Sequence, residues 1–221
     1  MVSDEFVRVV NVMGNDTDVV NAARVSFGKT ITEMKQKDKE LLIFLAKNNH
    51  TSPFRHCFVS FHIKAPEFVA RQWYKHIIGS EYTFKDCGWN EISGRYVKYD
   101  TTFWQPNQLR QQSPDKKQGS TNISIENEQE ALELYKKTTE ECMNVYNKLM
   151  AMGVCREQAR TILPLNFYTE WYWTASLQAI FNFVKLRTEE HAQLEIQEYA
   201  SKLDSLMLEL FPNAWTALQI L

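Results

Sequence analysis

Residues 57–64 have the sequence CFVSFHIK, and after Ala65 and Pro66 the chain continues with EFVARQWYKHI at residues 67–77. In the first segment apolar and polar side chains alternate, which is typical of a strand with one buried face. Proline suits the first position of a helix, where its missing N–H leaves no bond unmade, so Pro66 indicates a helix start. We therefore predict a strand that leads directly into a helix.

Outward from this segment, the chain predicts more helix than strand. Residues 6–13, FVRVVNVM, are rich in valine and indicate another strand. Residues 108–122 are the most polar stretch and are expected to form a surface loop. Apolar periodicity, capping residues and breakers predict further helices at about residues 16–24, 38–49, 125–152, 157–163, 169–186 and 189–210. These elements predict an α+β fold.

Length and charge limit the classes of protein to consider. The chain has 221 residues, 44% of them apolar and 24% charged, which predicts one globular domain over residues 1–221. Its formal net charge is −2, from 25 Lys and Arg against 27 Asp and Glu. Proteins that bind nucleic acid generally carry a basic excess, so we expect no nucleic-acid partner. A small anionic ligand needs only a few local cations and is compatible with this charge.

The cysteines and the N-terminal sequence indicate a compartment. Cys57, Cys87, Cys142 and Cys155 include no pair with CxxC spacing, so we expect neither a zinc site nor a redox dithiol. Residues 1–16 lack the apolar segment of a signal peptide, and no apolar run is long enough to span a bilayer. We therefore predict a protein of the reducing cytoplasm, with no bound metal and no membrane partner.

Two groups of polar residues in the middle of the chain could bind an anion. Gln72 and Lys75 are three residues apart on the helix predicted at 67–77, where an amide and an ammonium group on one face suit a nucleotide. A solvated helix face accounts for the same spacing. Ser93, Gly94 and Arg95 combine a hydroxyl group, an accessible backbone and a guanidinium group. A polar turn between two strands explains these three residues equally well.

Arg187 follows the apolar segment FNFVKL at residues 181–186. An arginine that leaves an apolar face is usually paired or bound to a ligand, because a lone buried charge is unfavourable. An ion pair with a nearby glutamate at position 189, 190 or 195 is the alternative, and Arg160 has the same ambiguity. The sequence contains no GxGxxG, Walker or GxSxG motif, so a cofactor would not bind through those cradles.

Several segments in the right order resemble the flavin-dependent thymidylate synthases. The resemblance covers most of the chain and implies that family's fold, in which helices surround a central, mostly antiparallel sheet. It is weakest at residues 108–122. The segments that carry it are VNAARVSFGK (20–29), HTSPFRHCFVSFHIKAPEFVARQW (50–73), VARQWYKH (69–76), WNEISGRY (89–96) and the core from ARTILPLNFY to IQEYA (159–200).

This resemblance implies a reaction and its cofactors. The family methylates dUMP to dTMP with 5,10-methylenetetrahydrofolate as carbon donor, while reduced FAD supplies a hydride and NADPH reduces the flavin. No cysteine need attack the pyrimidine. The family works as a homotetramer whose active sites form where subunits meet.

The resemblance also implies roles for individual residues. Arg187 would be catalytic, because a cation beside O2 and N3 of uracil favours the N3-deprotonated ring and makes C5 electron-rich. His50 would take part in folate or flavin handling. Contacts with dUMP are implied for Gln72, Trp73, Lys75, Glu91, Ile92, Ser93, Gly94, Arg95, Arg160 and Arg187. Contacts with FAD are implied for Ser52, Lys75, His76, Ile77, Glu91, Ser176, Gln178 and Asn182.

The chain departs from the family's usual pattern on the flavin side. Lys75-His76-Ile77 stands where the family has Arg-His-Arg, and lysine lacks the bidentate fork of arginine. Residues 81–89, EYTFKDCGW, form an insertion, and Ser176 and Gln178 replace asparagine and arginine. We therefore expect FAD to be held differently here. Three alternatives remain open: hydroxymethylation of dUMP, methylation of UMP, and nucleotide binding without catalysis.

Overall fold

The computed structural model describes residues 5–76, 88–99, 102–115, 117 and 119–221. Ile77 and most of the insertion, residues 81–87, lie outside these ranges, so the expectations for them stay predictions. Within the described ranges, eight α-helices and six strands confirm the predicted α+β class.

Strands and helices are interspersed along the chain. The strands are β1 (Phe6–Met13), β2 (Phe58–Pro66), β3 (Gly88–Glu91), β4 (Arg110–Gln112), β5 (Ser120–Ser124) and β6 (Tyr168–Ser176). The helices are α1 (Asp16–Arg24), α2 (Gln36–Lys47), α3 (Glu67–Trp73), α4 (Glu128–Ala151), α5 (Arg156–Ala159), α6 (Leu177–Arg187), α7 (Leu194–Leu210) and α8 (Pro212–Leu218). Short 3-10 turns span Val25–Phe27, Ser52–Arg55 and Arg160–Ile162.

The central sheet is antiparallel and contains β1, β2, β6 and β3 in that order. Along β2 and β6 nearly every second side chain is buried, including Phe61, Ile63, Trp171 and Trp173. Because successive side chains of a strand point to opposite faces, this pattern means that one face of the sheet is covered. The strand and the helix predicted on either side of Pro66 are both present.

The first of two compact units comprises Met1–Ile63, Gln72–Asn90 and Trp171–Leu221. Its core is aromatic, since Trp73 stacks on Phe183 with ring centroids 4.2 Å apart. Helix α2 packs on α8, and α6 packs on α7. At the start of α8, the buried carboxylate of Asp16 accepts hydrogen bonds from the backbone N–H groups of Asn213 and Ala214, both at 2.9 Å. These bonds satisfy donors that the helix itself leaves unpaired.

The second unit comprises Lys64–Arg71 and Glu91–Glu170. Met143 and Tyr146, three residues apart on α4, form its buried core with Ala159. Partly buried apolar residues surround them, namely Phe103, Leu149, Met150, Val154, Ile162 and Leu163. The expectation of one domain over residues 1–221 stays a prediction.

The helix expected at residues 169–186 is wrong in its first half, which forms β6. Trp171 and Trp173 are buried while Tyr172 is 48% exposed, so the segment follows the two-residue period of a strand. Aromatic residues favour strands as well as buried helices, and the composition alone did not separate the two. At Ser176 the strand ends and α6 begins.

The surface loop expected at residues 108–122 is also wrong in part. Strands β4 and β5 form an antiparallel hairpin in which Arg110 pairs with Ser124 and Gln112 with Ser120. Polar side chains hold it together, as in the bond from Arg110 Nε to Ser120 Oγ at 2.8 Å. Because this hairpin buries little apolar surface, it leaves no hydrophobic period in the sequence.

Several helix boundaries differ from the prediction; α5, for example, ends at Ala159 instead of residue 163, and α3 and α7 differ as well. Helix α3 ends at Trp73 instead of residue 77, and the N–H of His76 donates to the carbonyl of Trp73 at 2.9 Å to close a turn. The expectation that Gln72 and Lys75 share a helix face is therefore wrong. Helix α7 begins at Leu194 instead of residue 189, because a separate turn precedes it.

Candidate active site

The first unit brings Gln72 and Arg187 together. Arg187 is the last residue of α6, and its Nη2 donates to the backbone carbonyl oxygen of Gln72 at 3.0 Å. The amide of Gln72 donates in turn to Oε1 of Gln193 at 2.7 Å. The hydrogen bond that the structure gives Arg187 thus goes to a carbonyl oxygen and not to Glu189, Glu190 or Glu195.

The guanidinium group of Arg187 is held in a partly buried position. Burial lowers the pKa of Arg187 from its usual value. Because the usual pKa of an arginine lies far above 7, the side chain is still a cation at neutral pH. Its Nε–H is buried and has no hydrogen-bond partner among the described residues. An unpaired buried N–H group is unfavourable, so a ligand atom that accepts its hydrogen bond would be bound favourably.

His76 lies beside this cation but is neutral. Burial, and to a smaller extent the charge of Arg187, lower the pKa of His76 to about 4. Its ring meets Phe183 edge to face, with centroids 5.0 Å apart. At neutral pH the charge of Arg187 is therefore not accompanied by an imidazolium ion.

Trp73 and Lys75 flank His76 in different environments. Trp73 is fully buried among aromatic rings, so any contact between this residue and a nucleotide would involve its backbone. Lys75 is exposed in the turn after α3. Trp89, the last residue of the insertion, stacks on Trp171 at 4.8 Å and so joins the aromatic core to β3.

Two of the predicted flavin residues, Ser176 and Gln178, lie at the start of α6. Nε of Arg55 donates to Oε1 of Gln178 at 2.6 Å, and the exposed Ser52 begins the 3-10 turn that Arg55 ends. Ser176 is buried and its hydroxyl accepts from the N–H of Ala179 at 3.2 Å, which caps α6. Arg55 was missed from the sequence because a lone surface arginine has no distinguishing pattern.

Two other residues predicted on the flavin side lie in the first unit. Asn182 is half-buried on α6. His50 is exposed after α2, and its ring meets that of Phe44 edge to face at 6.1 Å.

The second unit contains the segment that follows β3. Both the backbone N–H and Nε of Arg95 donate to the hydroxyl of Ser93 at 3.3 Å. The backbone N–H of Ile92 donates to the carbonyl of Glu170 on β6 at 2.9 Å, which fixes the start of the segment. A hydroxyl group and a guanidinium group thus lie side by side on a short turn, an arrangement that can bind a phosphate.

Gly94 is required by the close approach of Tyr99. A Cβ atom at Gly94 would lie 2.1 Å from the ring of Tyr99, which is itself buried against Phe167. Arg160, the remaining predicted nucleotide contact, is half-buried at the start of a 3-10 turn in the same unit.

Glu91 has a hydrogen-bond partner and a charged neighbour, Thr169 and Glu67, that the sequence did not reveal. Oγ1 of Thr169 donates to Oε1 of Glu91 at 2.5 Å. Burial first, and then the charge of Glu91, raise the pKa of Glu67 to about 7. The one local signal for Glu67 was a carboxylate within the otherwise apolar segment APEFVA.

The thiol of Cys57 is a poor nucleophile. Burial and the nearby charge of Asp18 raise its pKa to about 12, so it stays protonated at neutral pH. In the part of the chain that the structure describes, no group of three His, Cys, Asp or Glu residues is placed to hold a metal ion. None of the described helices is long and apolar enough to cross a membrane.

The chain is similar to several known proteins. The profile of the family described as thymidylate synthase complementing protein matches residues 8–213. The flavin-dependent thymidylate synthase of Thermosipho melanesiensis is 41% identical over 212 residues, which cover 96% of this chain and 88% of that protein. The flavin-dependent thymidylate synthase of Thermus thermophilus is 42% identical over 214 residues, which cover 97% of this chain and 75% of that protein. The crystal structure of the UMP/dUMP methylase PolB from Streptomyces cacaoi, bound with 5-Br dUMP, is 28% identical with a TM-score of 0.84, and the match covers 99% of this chain and 96% of that one.

Proposed function

Because the chain belongs to the flavin-dependent thymidylate synthase family, we propose that it is a methyltransferase that converts dUMP to dTMP. The carbon donor is 5,10-methylenetetrahydrofolate, which leaves as tetrahydrofolate. Bound FAD, once reduced by NADPH, supplies the hydride that completes the methyl group.

The placement of Arg187 is the observation that carries this proposal. Its Nη2 is bonded to the carbonyl of Gln72, while its buried Nε–H has no partner among the described residues. A cation held in this way can accept the uracil edge as a ligand. Beside O2 and N3 it favours the N3-deprotonated ring, so that C5 becomes electron-rich enough to attack the one-carbon unit. His76 is uncharged at neutral pH and adds no second positive charge.

The remaining nucleotide contacts proposed here hold the phosphate and sugar. Ser93 and Arg95 offer a hydroxyl group and a guanidinium group that already contact each other at 3.3 Å. Arg160, Lys75 and Glu91 complete the set, together with Gln72 and the backbone of Trp73, Ile92 and Gly94. Ser93 binds phosphate in this proposal and does not attack carbon.

The residues at the start of α6 fit a phosphate-bearing flavin cofactor. Arg55 uses Nε to bond Gln178, so its two Nη groups can still bind an anion. We propose that this arginine supplies the positive charge that Ile77 and Gln178 lack. Ser52, His76, Asn182, Ser176 and Glu91 are the other proposed FAD residues, with His50 in folate or flavin handling.

We propose that the protein works in the cytoplasm as a homotetramer with active sites at its subunit interfaces. Large apolar side chains on the first unit support assembly, since Val10, Met13 and Tyr172 are 51%, 54% and 48% exposed. In such an assembly Arg187 and the Ser93–Arg95 segment of one site need not come from the same chain. No nucleic acid and no membrane take part in this proposal.

Methylation of UMP is a second candidate. The methylase from Streptomyces cacaoi whose fold matches this chain is described as acting on UMP as well as dUMP, and it was also solved with 5-Br UMP. The curated relatives of higher identity are thymidylate synthases, so dUMP remains the first choice.

Product analysis separates the candidates. Purified protein is incubated with FAD, NADPH and methylenetetrahydrofolate plus either dUMP or UMP, and the products are resolved by mass. We expect dTMP from dUMP. A methylated ribonucleotide would support the second candidate, and a hydroxymethylated product would replace the proposed reaction. Protein that takes up no FAD and forms no product would contradict catalysis.

A further inference from the structure

We propose that Gln193 is a positioning residue for Arg187 in the proposed pyrimidine site. By binding the side chain of Gln72, it keeps the Gln72 backbone carbonyl in the position that orients the guanidinium group toward uracil. The proposal rests on the proposed function, because the contact between Arg187 and uracil is part of it. The roles that the family resemblance implies do not include Gln193.

Gln72 is held at both its backbone and its side chain. Its backbone carbonyl accepts a hydrogen bond from Nη2 of Arg187 at 3.0 Å, and its Nε2 donates to Oε1 of Gln193 at 2.7 Å. Gln72 is the second-last residue of α3, where a helix leaves its carbonyl groups without an intrahelical donor. Arg187 supplies a donor here, so the end of α3 and the guanidinium group are positioned together.

A short turn connects Arg187 to Gln193. Arg187 ends α6, and Gln193 directly precedes α7. Between them, the N–H of Ala192 donates to the carbonyl of Glu189 at 2.9 Å. Nε2 of Gln197 on α7 donates to the carbonyls of Ala192 and Glu189 at 2.8 and 3.3 Å. These bonds hold the turn, and they fix where Gln193 stands relative to the end of α6.

The contacts form a closed ring from Arg187 to Gln72, from Gln72 to Gln193, and back through the turn to Arg187. In a closed ring each contact limits the movement that the others allow. Nε of Arg187 is buried and has no hydrogen-bond partner among the described residues, so the bond at Nη2 is important for the orientation of the guanidinium group. Loss of the bond to Gln193 opens the ring.

An open ring should weaken the action of Arg187 on the pyrimidine. A cation lowers the pKa of uracil N3 most when it is held beside the ring, because the interaction falls with distance and with exposure to water. Gln193 is exposed, so its bond to Gln72 competes with water. We expect the loss of this bond to change the ionisation constant of N3 about 3- to 10-fold, which corresponds to about 0.5–1 pH unit.

The first test measures the ionisation of a bound pyrimidine without any turnover. The probe is 5-fluoro-dUMP, because fluorine makes N3–H more acidic and the fluorine NMR signal reports the loss of that proton. Flavin-loaded protein with the bound probe is titrated with base in the absence of folate. We expect N3 to ionise at a lower pH in the wild type than in the free probe. In Gln193→Met, which keeps the length of the side chain, the midpoint should lie about 0.5–1 pH unit above the wild type.

Further variants serve as controls. Gln219→Met removes a comparable amide bond elsewhere in the first unit, from Nε2 of Gln219 to Oδ1 of Asp204 at 2.9 Å, and should keep the wild-type midpoint. The double variant Gln72→Met/Gln193→Met should shift the midpoint no further than Gln72→Met, because both changes open the same ring.

The pH profile of turnover separates positioning from a general loss of stability. With dUMP as substrate, we expect kcat of Gln193→Met to be about 3- to 10-fold below the wild type at the acid end of the profile. It should approach the wild type as the pH rises, because N3 then ionises in either protein. The charged and titratable groups near Arg187 are the same in both proteins, namely Lys75 and His76 after α3, Lys185 on α6, and Glu189, Glu190, His191 and Glu195 around the turn.

The outcomes separate this inference from the proposed function. If N3 of the probe ionises at a lower pH on the wild type than in solution, and Gln193→Met has the same midpoint as the wild type, the positioning role is wrong. It is also wrong if Gln219→Met shifts the midpoint as much, or if the effects of Gln72→Met and Gln193→Met add. If the wild type binds the probe without lowering the pKa of N3, or does not bind it, the proposed function itself fails and the positioning role fails with it.

Discussion

At the scale of single residues, catalysis depends in this proposal on the cation at position 187. The guanidinium group is partly buried and bonded through Nη2 to the carbonyl of Gln72. A fixed charge in a partly desolvated position acts more strongly on a bound base than a mobile one in water, because less reorganisation is needed. His76, neutral beside it, adds no second charge.

Arg187→Ala should abolish dTMP formation while leaving the fold intact. We expect kcat to fall by a factor of at least ~100, the effect of removing one preorganised charge-stabilising group. Product mass after single turnover and circular dichroism give the two readouts. Arg187→Lys keeps the positive charge but loses the bidentate guanidinium group, and it should retain part of the rate. Turnover of the alanine variant at the wild-type rate would show that the pyrimidine-activating group lies elsewhere.

Ser93→Ala should weaken nucleotide binding without removing the chemistry. The hydroxyl accepts two bonds from Arg95 at 3.3 Å, so its loss frees the guanidinium group as well as removing a phosphate ligand. We expect the KM of dUMP to rise about 10-fold at nearly constant kcat, as for the loss of one charge-assisted hydrogen bond. Ser93→Thr is the control. Complete loss of turnover at saturating dUMP would argue for a covalent role of Ser93.

At the scale of elements, α6 links residues of the proposed flavin site to the proposed uracil contact Arg187. Ser176 caps its first turn, Gln178 bonds Arg55, and Arg187 is its last residue. Because a helix is rigid, the cap and the packing of α6 against α7 fix the distance between Gln178 at its start and Arg187 at its end. In this proposal, the boundary between β6 and α6 at Ser176 therefore sets the geometry of the site.

Ser176→Ala should destabilise the protein through the start of α6. Its hydroxyl accepts from the N–H of Ala179 at 3.2 Å, and loss of such a cap costs about 1 kcal/mol, whereas glycine at the same position costs only a few tenths. Urea denaturation measures the free energy of unfolding of the Ser176→Ala and Ser176→Gly variants. If Ser176→Ala and Ser176→Gly lose the same stability, the effect comes from packing and not from the cap.

At the scale of the whole molecule, stability should fall on acidification. Burial, with a contribution from Arg187, lowers the pKa of His76 from 6.5 to about 4. Above pH 6.5 the ring is neutral in both folded and unfolded chains. Between 6.5 and 4 only the unfolded chain gains the proton, so stability present above pH 6.5 is lost as the pH falls.

His76→Phe should remove this part of the acid sensitivity. Between about pH 7 and 4.5 the free energy of unfolding should fall in both proteins. We expect the wild type to lose ~1–2 kcal/mol more than His76→Phe. Denaturation at the two pH values provides the measurement, and the exposed His56, changed to Phe, is the control. An equal loss in His76→Phe and wild type would mean that the ring is not buried in its neutral form.

Assembly is the other whole-molecule property that can be tested. If sites form at subunit interfaces, specific activity and bound flavin should both fall on dilution below the concentration at which the oligomer dissociates. Mass photometry at each concentration gives the oligomeric state. A monomer with full specific activity would contradict the proposed tetramer.

The α+β class and the strand and helix around Pro66 could be predicted from the sequence, because hydrophobic period and breaker residues are properties of neighbours within a few residues. The strand β6 could not, since its tryptophans suit a buried helix as well as a strand until the sheet partner is known. The hairpin of β4 and β5 is polar on both faces and carries no hydrophobic period to detect.

The sequence by itself determined which chemical groups are present, including Arg187, Ser93 and Arg95, because residue type and local spacing suffice to recognise them. Only the tertiary structure decided their states. The neutral form of His76, the bond from Arg55 to Gln178 and the raised pKa of Glu67 all depend on burial and on residues distant in sequence. Desolvation and charge–charge energies are set by distances in space, and no local pattern in the chain encodes those distances.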